Sequence, residues 1–289
     1  MHAKKTQPEI TQPRKNPADR HVLAMILARA GSKGLPSKNV LPIAGKPLIA
    51  YTIAEAKAAE TIDAVCVTTD MPKAADVTRF MGVFIVDRPP DLASDSATVD
   101  SAVRHAVEEY ERGRRVVTHV AILYGNVPVR APGVIDKAVS HLIETGCDSV
   151  RSVTRVEKQH PDWLHRLVGD RLVQYRKNSI YRRQDLEALY YHDGAVLAVT
   201  RKSLSITSRD DDHAFLGKDR RAVVSEGGPT IDVDSFEDLG LAEALIEKRI
   251  RDDAATMPDN SARLPAAIYE RTGKSTTAPH AMHQMVSPT

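Results

Sequence analysis

The sequence predicts an α/β fold, a mainly parallel sheet covered by helices on both faces. Three observations predict it. From His21 onward, short apolar runs alternate with longer amphipathic ones, the β-α-β-α order of a parallel sheet. The first of these runs, VLAMILA at 22–28, is continuously apolar, as strands buried on both faces are. The residues richest in chemistry follow the ends of the apolar runs, where ligands bind in such sheets.

The elements follow in order. VLAMILA (22–28) reads as a strand, and PLIAYTIAEAKAAE (47–60) as a helix opened by proline. AVCVTTD (64–70) is a second strand, followed by a helix over about 72–81 and a third strand at VFIVDRP (83–89). A helix over about 98–112 precedes the fourth strand, HVAILYG (119–125). Residues 132–145 form a helix after Pro132, and CDSVRSVTRV (147–156) returns to the sheet. Residues 157–192 break the rhythm, with a hairpin expected around Gly169-Asp170 and then a basic, tyrosine-rich stretch. Such an excursion suits closing a pocket or pairing with a second subunit. GAVLAVT (194–200) and TIDVD (230–234) are further strands. FEDLGLAEALIEKRIRD (236–252) is an amphipathic final helix, capped by Ser235 with Asp238 at its third position.

Composition bounds the function. The chain has 289 residues, 42% hydrophobic and 27% charged, which predicts a soluble globular protein with one domain over 21–252. A net charge of +2 argues against a general nucleic-acid binder. Two cysteines, Cys66 and Cys147, build no disulfide framework and lack metal-ligand spacing, so a reducing cytoplasm is the expected home. No apolar run approaches the ~20 residues of a membrane span. Residues 1–20 are polar and basic and are expected to form a flexible arm. Residues 253–289, rich in Pro, Ser, Thr and Ala, are expected to form a disordered tail. There is no internal repeat.

The first strand runs into ARAGSKGLPSKN (28–39). Gly31 and Gly34 let backbone N–H groups approach oxygens, while Arg29, Lys33 and Lys38 supply positive charge, a combination suited to polyphosphate. A solvated basic turn is the plain alternative. The loop is neither a Walker A nor a G-x-G-x-x-G. GKST at 273–276 matches the end of a P-loop, but Ile268 stands at the required first glycine and no strand precedes it. In IDVD (231–234), the two-residue period puts Asp232 and Asp234 on one face of a strand and Ile231 and Val233 in the core. Such a pair is a divalent-cation site or the polar face of an edge strand. Arg88, before a stiff Pro-Pro, is either part of a ligand site or a solvent-facing strand terminator.

The loop and its sequel, ARAGSKGLPSKNVLPIAGKPLIAYTI (28–53), resemble the opening of the acylneuraminate cytidylyltransferases, the CMP-sialic acid synthetases. The resemblance continues in order through VTTD (67–70), RPPDLASDSAT (88–98), VPVR (127–130), DSVRSVTRVEKQHP (148–161), RRQDL (182–186), DGAV (193–196) and IDVDSFEDLGLAE (231–243), covering about residues 22–250. It implies a Rossmann-like nucleotide-diphospho-sugar transferase fold that uses CTP and Mg2+ to activate a 2-keto sugar acid. Arg29, Lys33 and Lys38 then hold the triphosphate. Ser32, Asn39 and Arg88, with Asp95 and Ala97 of the loop 91–99, hold the nucleotide. Asp232 and Asp234 hold Mg2+. Tyr124, Asn126, Arg183, Gln184 and Asp193 face the sugar, and 157–192 pairs two subunits into a homodimer.

The departures fall at the acceptor end. Tyr124 stands where sialic acid enzymes carry a sugar-facing glutamine, and Asp193 where relatives carry Asn. Gly125-Asn126-Val127-Pro128 is nearer the Gly-Asp-x-Pro of 3-deoxy-manno-octulosonate cytidylyltransferases. Val99 replaces a serine of many relatives. His160 matches the family but also suits a structural hydrogen-bonding role. The expectation is a cytidylyltransferase for a sialic acid-like nonulosonic acid. The alternatives are an enzyme for another acceptor, such as 3-deoxy-manno-octulosonate, and a catalytically silent nucleotide-binding homologue.

Overall fold

In the computed structural model, residues 20–31 and 34–256 are described. Strand β1 (Val22–Ala28) leads through a loop into a small hairpin, β2 (Pro42–Ile43) and β3 (Lys46–Pro47), and then helix α1 (Leu48–Ala58). There follow β4 (Ala64–Thr69), α2 (Pro72–Phe80), β5 (Phe84–Asp87), the single turn α3 (Pro90–Ala93), α4 (Val99–Glu111), β6 (His119–Tyr124), α5 (Val134–Thr145) and β7 (Ser149–Arg155). The excursion carries the hairpin β8 (His165–Val168) and β9 (Arg171–Gln174), turning at Gly169-Asp170 as expected. Next come β10 (Tyr190–Thr200), the short α6 (Arg201–Leu204), β11 (Arg220–Val224) and α7 (Phe236–Thr256). The chain divides into one unit ending at Lys248 and a second beginning at Arg249, of which only the end of α7 is described.

Seven strands form one sheet in the order β11-β7-β10-β6-β1-β4-β5. Every neighbouring pair is parallel except those made by β10, which runs against both β6 and β7. The mainly parallel sheet of the sequence reading is therefore present, with one reversed strand. β1, an interior strand between β6 and β4, is buried along all seven residues, which is why that run shows no alternation. One face packs on α1, α2 and α5 through Ile26, Ile53, Val67, Ala138 and Leu142. The other packs on α4 through Met25, Val103, Val107, Ile122 and Phe215.

A third apolar cluster lies under the loop that follows β1. Leu35, Ile43, Leu48, Val129 and Val233 pack with Ala242 and Ile246 of α7. It joins three chain segments far apart in sequence and seats the 231–234 segment beside the phosphate-type loop. At its N-terminus α7 carries a reciprocal cap. Asp238 N donates to Ser235 Oγ (3.2 Å), and Ser235 N donates to an Asp238 carboxylate oxygen (2.9 Å). The expected strand at 230–234 needs correction. Ile231 makes a single antiparallel bridge to Val129, and Val233 N donates to Asn126 O at 2.9 Å, so no ladder extends beyond it. The alternation survives the loss of the strand, with Val233 fully buried and Asp232 and Asp234 turned to the opposite side.

Candidate active site

A cleft of about 620 Å³ opens beyond the carboxyl ends of β1, β5 and β6. Its walls carry Arg29, Lys38, Asn39, Arg88, Asp95, Ala97, Tyr124, Asn126, Asp232 and Asp234, ten of the fifteen residues picked out from the sequence. Ser32 and Lys33 lie outside the described residues. The remaining three are elsewhere.

The loop after β1 is held by its neighbours. Ala30 N donates to Asp70 at 2.7 Å, and the buried Asn39 amide donates to Arg29 O at 3.1 Å. Asn39 Oδ1 is buried with no hydrogen bond to a described residue. Two glycines are required by close approach. A Cβ on Gly34 would sit 2.7 Å from the Asp234 carbonyl oxygen, and one on Gly125 would sit 2.9 Å from Asn39 Oδ1. Gly34 thus lets the loop lie directly against the aspartate segment.

Charge is distributed along this seam. Lys38 Nζ pairs with Asp234, and its side chain is only 17% exposed. Arg29 Nη1 pairs with Asp95 at 2.8 Å, joining the loop after β1 to the 91–99 segment across the cleft. Arg88 is buried and donates to Thr68 O at 3.0 Å, and burial pushes its guanidinium down to about 10, still protonated at neutral pH. It is a cleft residue rather than a solvent-facing terminator.

Asp232 is held above the usual carboxylate range, first by burial and then by the charge of Asp234, against the opposing pull of Lys38. Asn126 donates its amide to Asp232 and, at 3.3 Å, to Val233 O. Among the described residues no group of three or more His, Cys, Asp or Glu side chains forms a ready-made metal cage. Two carboxylates on one side of the segment, with the charge of Asp234 disfavouring ionised Asp232, fit a Mg2+ ion that would keep waters and take substrate phosphates as its other ligands.

Three acceptor-side candidates lie outside the cleft wall. Both carboxylate oxygens of Asp193 are engaged: Oδ1 accepts from Ser152 Oγ (2.5 Å) and Ala195 N (3.0 Å), and Oδ2 accepts from Thr154 Oγ1 (3.0 Å) and Ser225 Oγ. It fastens β7, β10 and the segment after β11. Arg183 and Gln184 line a separate depression of about 270 Å³ with Glu157, to which Arg183 donates at 3.0 Å. His160 is fully buried. Its Nδ1 accepts from Asp162 N (3.2 Å), so its Nε2 carries the proton toward Glu187 O (3.1 Å), a structural arrangement.

Sequence reasoning missed two arginines. Arg130, at the end of VPVR, is 2% exposed and threads the interior. It donates through Nε to Ala195 O (2.8 Å) and through Nη2 to Tyr124 O (3.1 Å), and it pairs through Nη1 with Glu55 (2.9 Å). It fixes the 124–130 turn that presents Tyr124 and Asn126. The second, Arg151, interrupts the apolar alternation of β7, the signal that could have marked it.

A parallel sheet with a cationic loop and a carboxylate pair at its carboxyl edge defines a nucleotide-handling α/β protein. The comparisons with known proteins narrow the class. A family model described as Cytidylyltransferase matches residues 23–214, and the chain belongs to that family. It is 33% identical over 185 residues to an N-acylneuraminate cytidylyltransferase of Streptococcus agalactiae, covering 63% of this chain and 44% of that protein. The chain thus spans less than half the length of this relative. It is 31% identical over 234 residues to the CMP-N,N'-diacetyllegionaminic acid synthase of Legionella pneumophila, covering 78% of this chain and 96% of that protein. Among solved structures, a CMP:2-keto-3-deoxy-manno-octonic acid synthetase complexed with CTP shares the fold. Its TM-score is 0.62 at 18% identity, covering 79% of this chain and 99% of that one.

Proposed function

We propose that this chain activates a sialic acid-like nonulosonic acid with CTP, giving the CMP-sugar and pyrophosphate. The supporting observation is one cleft lined by Arg29, Lys38, Arg88, Asp232 and Asp234 in a chain of the cytidylyltransferase family. The anomeric hydroxyl attacks the α-phosphorus of CTP, the new P–O bond forms as the bond to the β-phosphate oxygen breaks, and pyrophosphate leaves. Such transfer depends on alignment and on neutralising charge. Arg29 and Lys38, with Ser32 and Lys33 by their place in the motif, hold the triphosphate and stabilise the departing pyrophosphate. Arg88 and the 91–99 segment hold cytosine and ribose. Asp232 and Asp234 would hold Mg2+, which when bound would supply Lewis acidity toward the triphosphate. The two thiols, Cys66 and Cys147, are buried and unpaired, which fits a reducing cytoplasm. No described helix is long and apolar enough to cross a membrane.

Pyrophosphate release from CTP, assayed against a panel of sugar acids, tests the proposal; no release with any acid sinks it. A second acceptor class is favoured by one feature, the Gly125-Asn126-Val127-Pro128 turn, which points to octulosonic acids. Tyr124 bears on the same question. It replaces an amide able to donate and accept with a phenol that burial keeps neutral, so an N-acyl group loses a matched partner. N-acetylneuraminate is therefore expected to be turned over roughly ten- to a hundredfold less efficiently than its deaminated analogue or an octulosonic acid. Competition at limiting CTP checks this, and a clear win for the N-acetyl sugar refutes it.

The excursion 157–192 is proposed to pair two copies. Leu167 (72%), Leu172 (69%) and Tyr181 (92%) are widely exposed there, and all eight residues of β8 and β9 face solvent in the single chain. Light scattering at micromolar concentration is expected to report twice the 31.7 kDa chain mass. A monomer rejects the pairing.

A further inference from the structure

Arg151 is half-buried and makes no hydrogen bond or ion pair with any described residue. Its position follows from strand register. Arg151 pairs with Leu197 of β10, and Leu197 pairs with Ile122 of β6, so all three share one face of the sheet. Tyr124, two residues beyond Ile122, shares that face at the cleft wall. The Tyr124 hydroxyl likewise makes no hydrogen bond with a described residue. The Arg151 guanidinium and the Tyr124 phenol influence each other electrostatically, and the charge of Asp232 also acts on the phenol.

The surroundings show why the guanidinium stands apart. His192, opposite Val153, falls on the same face, where burial first and then the charge of Arg151 favour its neutral form. Arg220 is engaged with Gly217 O (2.8 Å), His213 O (3.2 Å) and Asp211 (3.4 Å). Asp193 is saturated by hydroxyl and amide donors. A half-desolvated cation without a counter-charge costs stability unless a ligand supplies the anion.

We propose that Arg151, with the Tyr124 hydroxyl beside it, binds the carboxylate of the acceptor sugar acid. This rests on the cytidylyl-transfer reading above and names the residue that makes the acceptor an acid. The planar guanidinium takes both carboxylate oxygens, the phenol donates to one of them, and the acceptor is held at the end of the cleft next to Asp232.

The test uses Arg151→Leu and Arg151→Lys in the full chain, with N-acetylneuraminate, its deaminated analogue and 3-deoxy-manno-octulosonate as acceptors, each also as its methyl ester. In Arg151→Leu the KM for the acids is expected to rise by roughly ten- to a hundredfold, while the KM for CTP and the melting temperature stay put. Arg151→Lys recovers part of the loss. The wild type prefers acid to ester by a similar factor, and Arg151→Leu does not distinguish them. Retention of the acid preference in Arg151→Leu, or a parallel rise in the KM for CTP, overturns the assignment. If the wild type releases no pyrophosphate with any of the acids, the transfer reading fails and Arg151 is judged separately. Saturation-transfer NMR of the same acids then decides: binding lost in Arg151→Leu supports the site, and equal binding or none overturns it.

Discussion

Asp232→Asn is expected to lower turnover by ~10²-fold or more and to leave the melting temperature unchanged or slightly raised. The first half follows from charge. In the proposed role the Asp232 carboxylate holds a cation against the reacting phosphate, and losing one such preorganised electrostatic contact costs turnover on that scale. The second half follows from the direction of the Asp232 shift. Burial and the neighbouring Asp234 raise its folded pKa above the unfolded value, so its charged form weakens the fold once pH passes the unfolded pKa. Removing that charge relieves the fold. The same shift sets the acid limb of the pH–rate profile, because a protonated Asp232 no longer attracts a cation. Activity should therefore fall at higher pH than an ordinary aspartate would cause, and higher Mg2+ should move the limb back down. Steady-state kinetics beside a thermal melt measure both halves. Near-wild-type turnover in a folded variant removes Asp232 from the chemistry.

The features legible in the sequence were those written in local pattern. β1 was read to the residue because seven consecutive apolar side chains mark a strand buried on both faces inside a sheet. The capping box at Ser235 and Asp238 was read from two residues three apart. Of the candidate site, the two ends that meet in the cleft, the 29–39 loop and Asp232/Asp234, stand almost two hundred residues apart, and only the family resemblance joined them.

What escaped was tertiary in origin. β11 carries Arg220 and Arg221 on an edge and buries little beyond Val223, so its composition resembles a loop. The β2–β3 hairpin has two residues per strand. Its turn places Ala44 at φ 41 and Gly45 at φ 80, and it is fixed by Glu243, which accepts from Ala44 N at 2.9 Å across the third cluster. The 231–234 strand failed for the opposite reason. Its alternation is genuine, but Asn126 and Val129 offer it too few backbone partners for a ladder. Asp193 shows the limit of carrying a role across by position. Its carboxylate is consumed by hydroxyls on β7 and beyond β11 that no local pattern displays. Arg151 is the converse case, a cation to which the described residues give no hydrogen-bond or ion-pair partner.

Arg130→Met is expected to be the most destabilising single substitution among the residues discussed, by about 3–5 kcal/mol, the cost of breaking a buried ion pair from one side. The guanidinium is 2% exposed, and its Nη1 meets Glu55, itself 31% exposed, at 2.9 Å. The same group donates to Thr52 Oγ1 (3.2 Å), Tyr124 O, Val127 O and Ala195 O, so its loss strands carbonyls from the 124–130 turn and from β10 together. For a domain of this size the melting temperature should drop by roughly 6–20 °C. Glu55→Gln removes the charge but keeps an acceptor, and since its side chain reaches water it should cost much less. Because the two substitutions break one interaction, the double variant should be less destabilised than the sum of the singles. The effect on function should be indirect. With the turn loosened, Tyr124 and Asn126 lose their fixed positions, and the KM for the acceptor should rise at temperatures where the variant remains folded. Denaturant unfolding of the four proteins of this cycle gives the answer, and a loss below about 1 kcal/mol for Arg130→Met would mean that water replaces the arginine and that the turn holds itself.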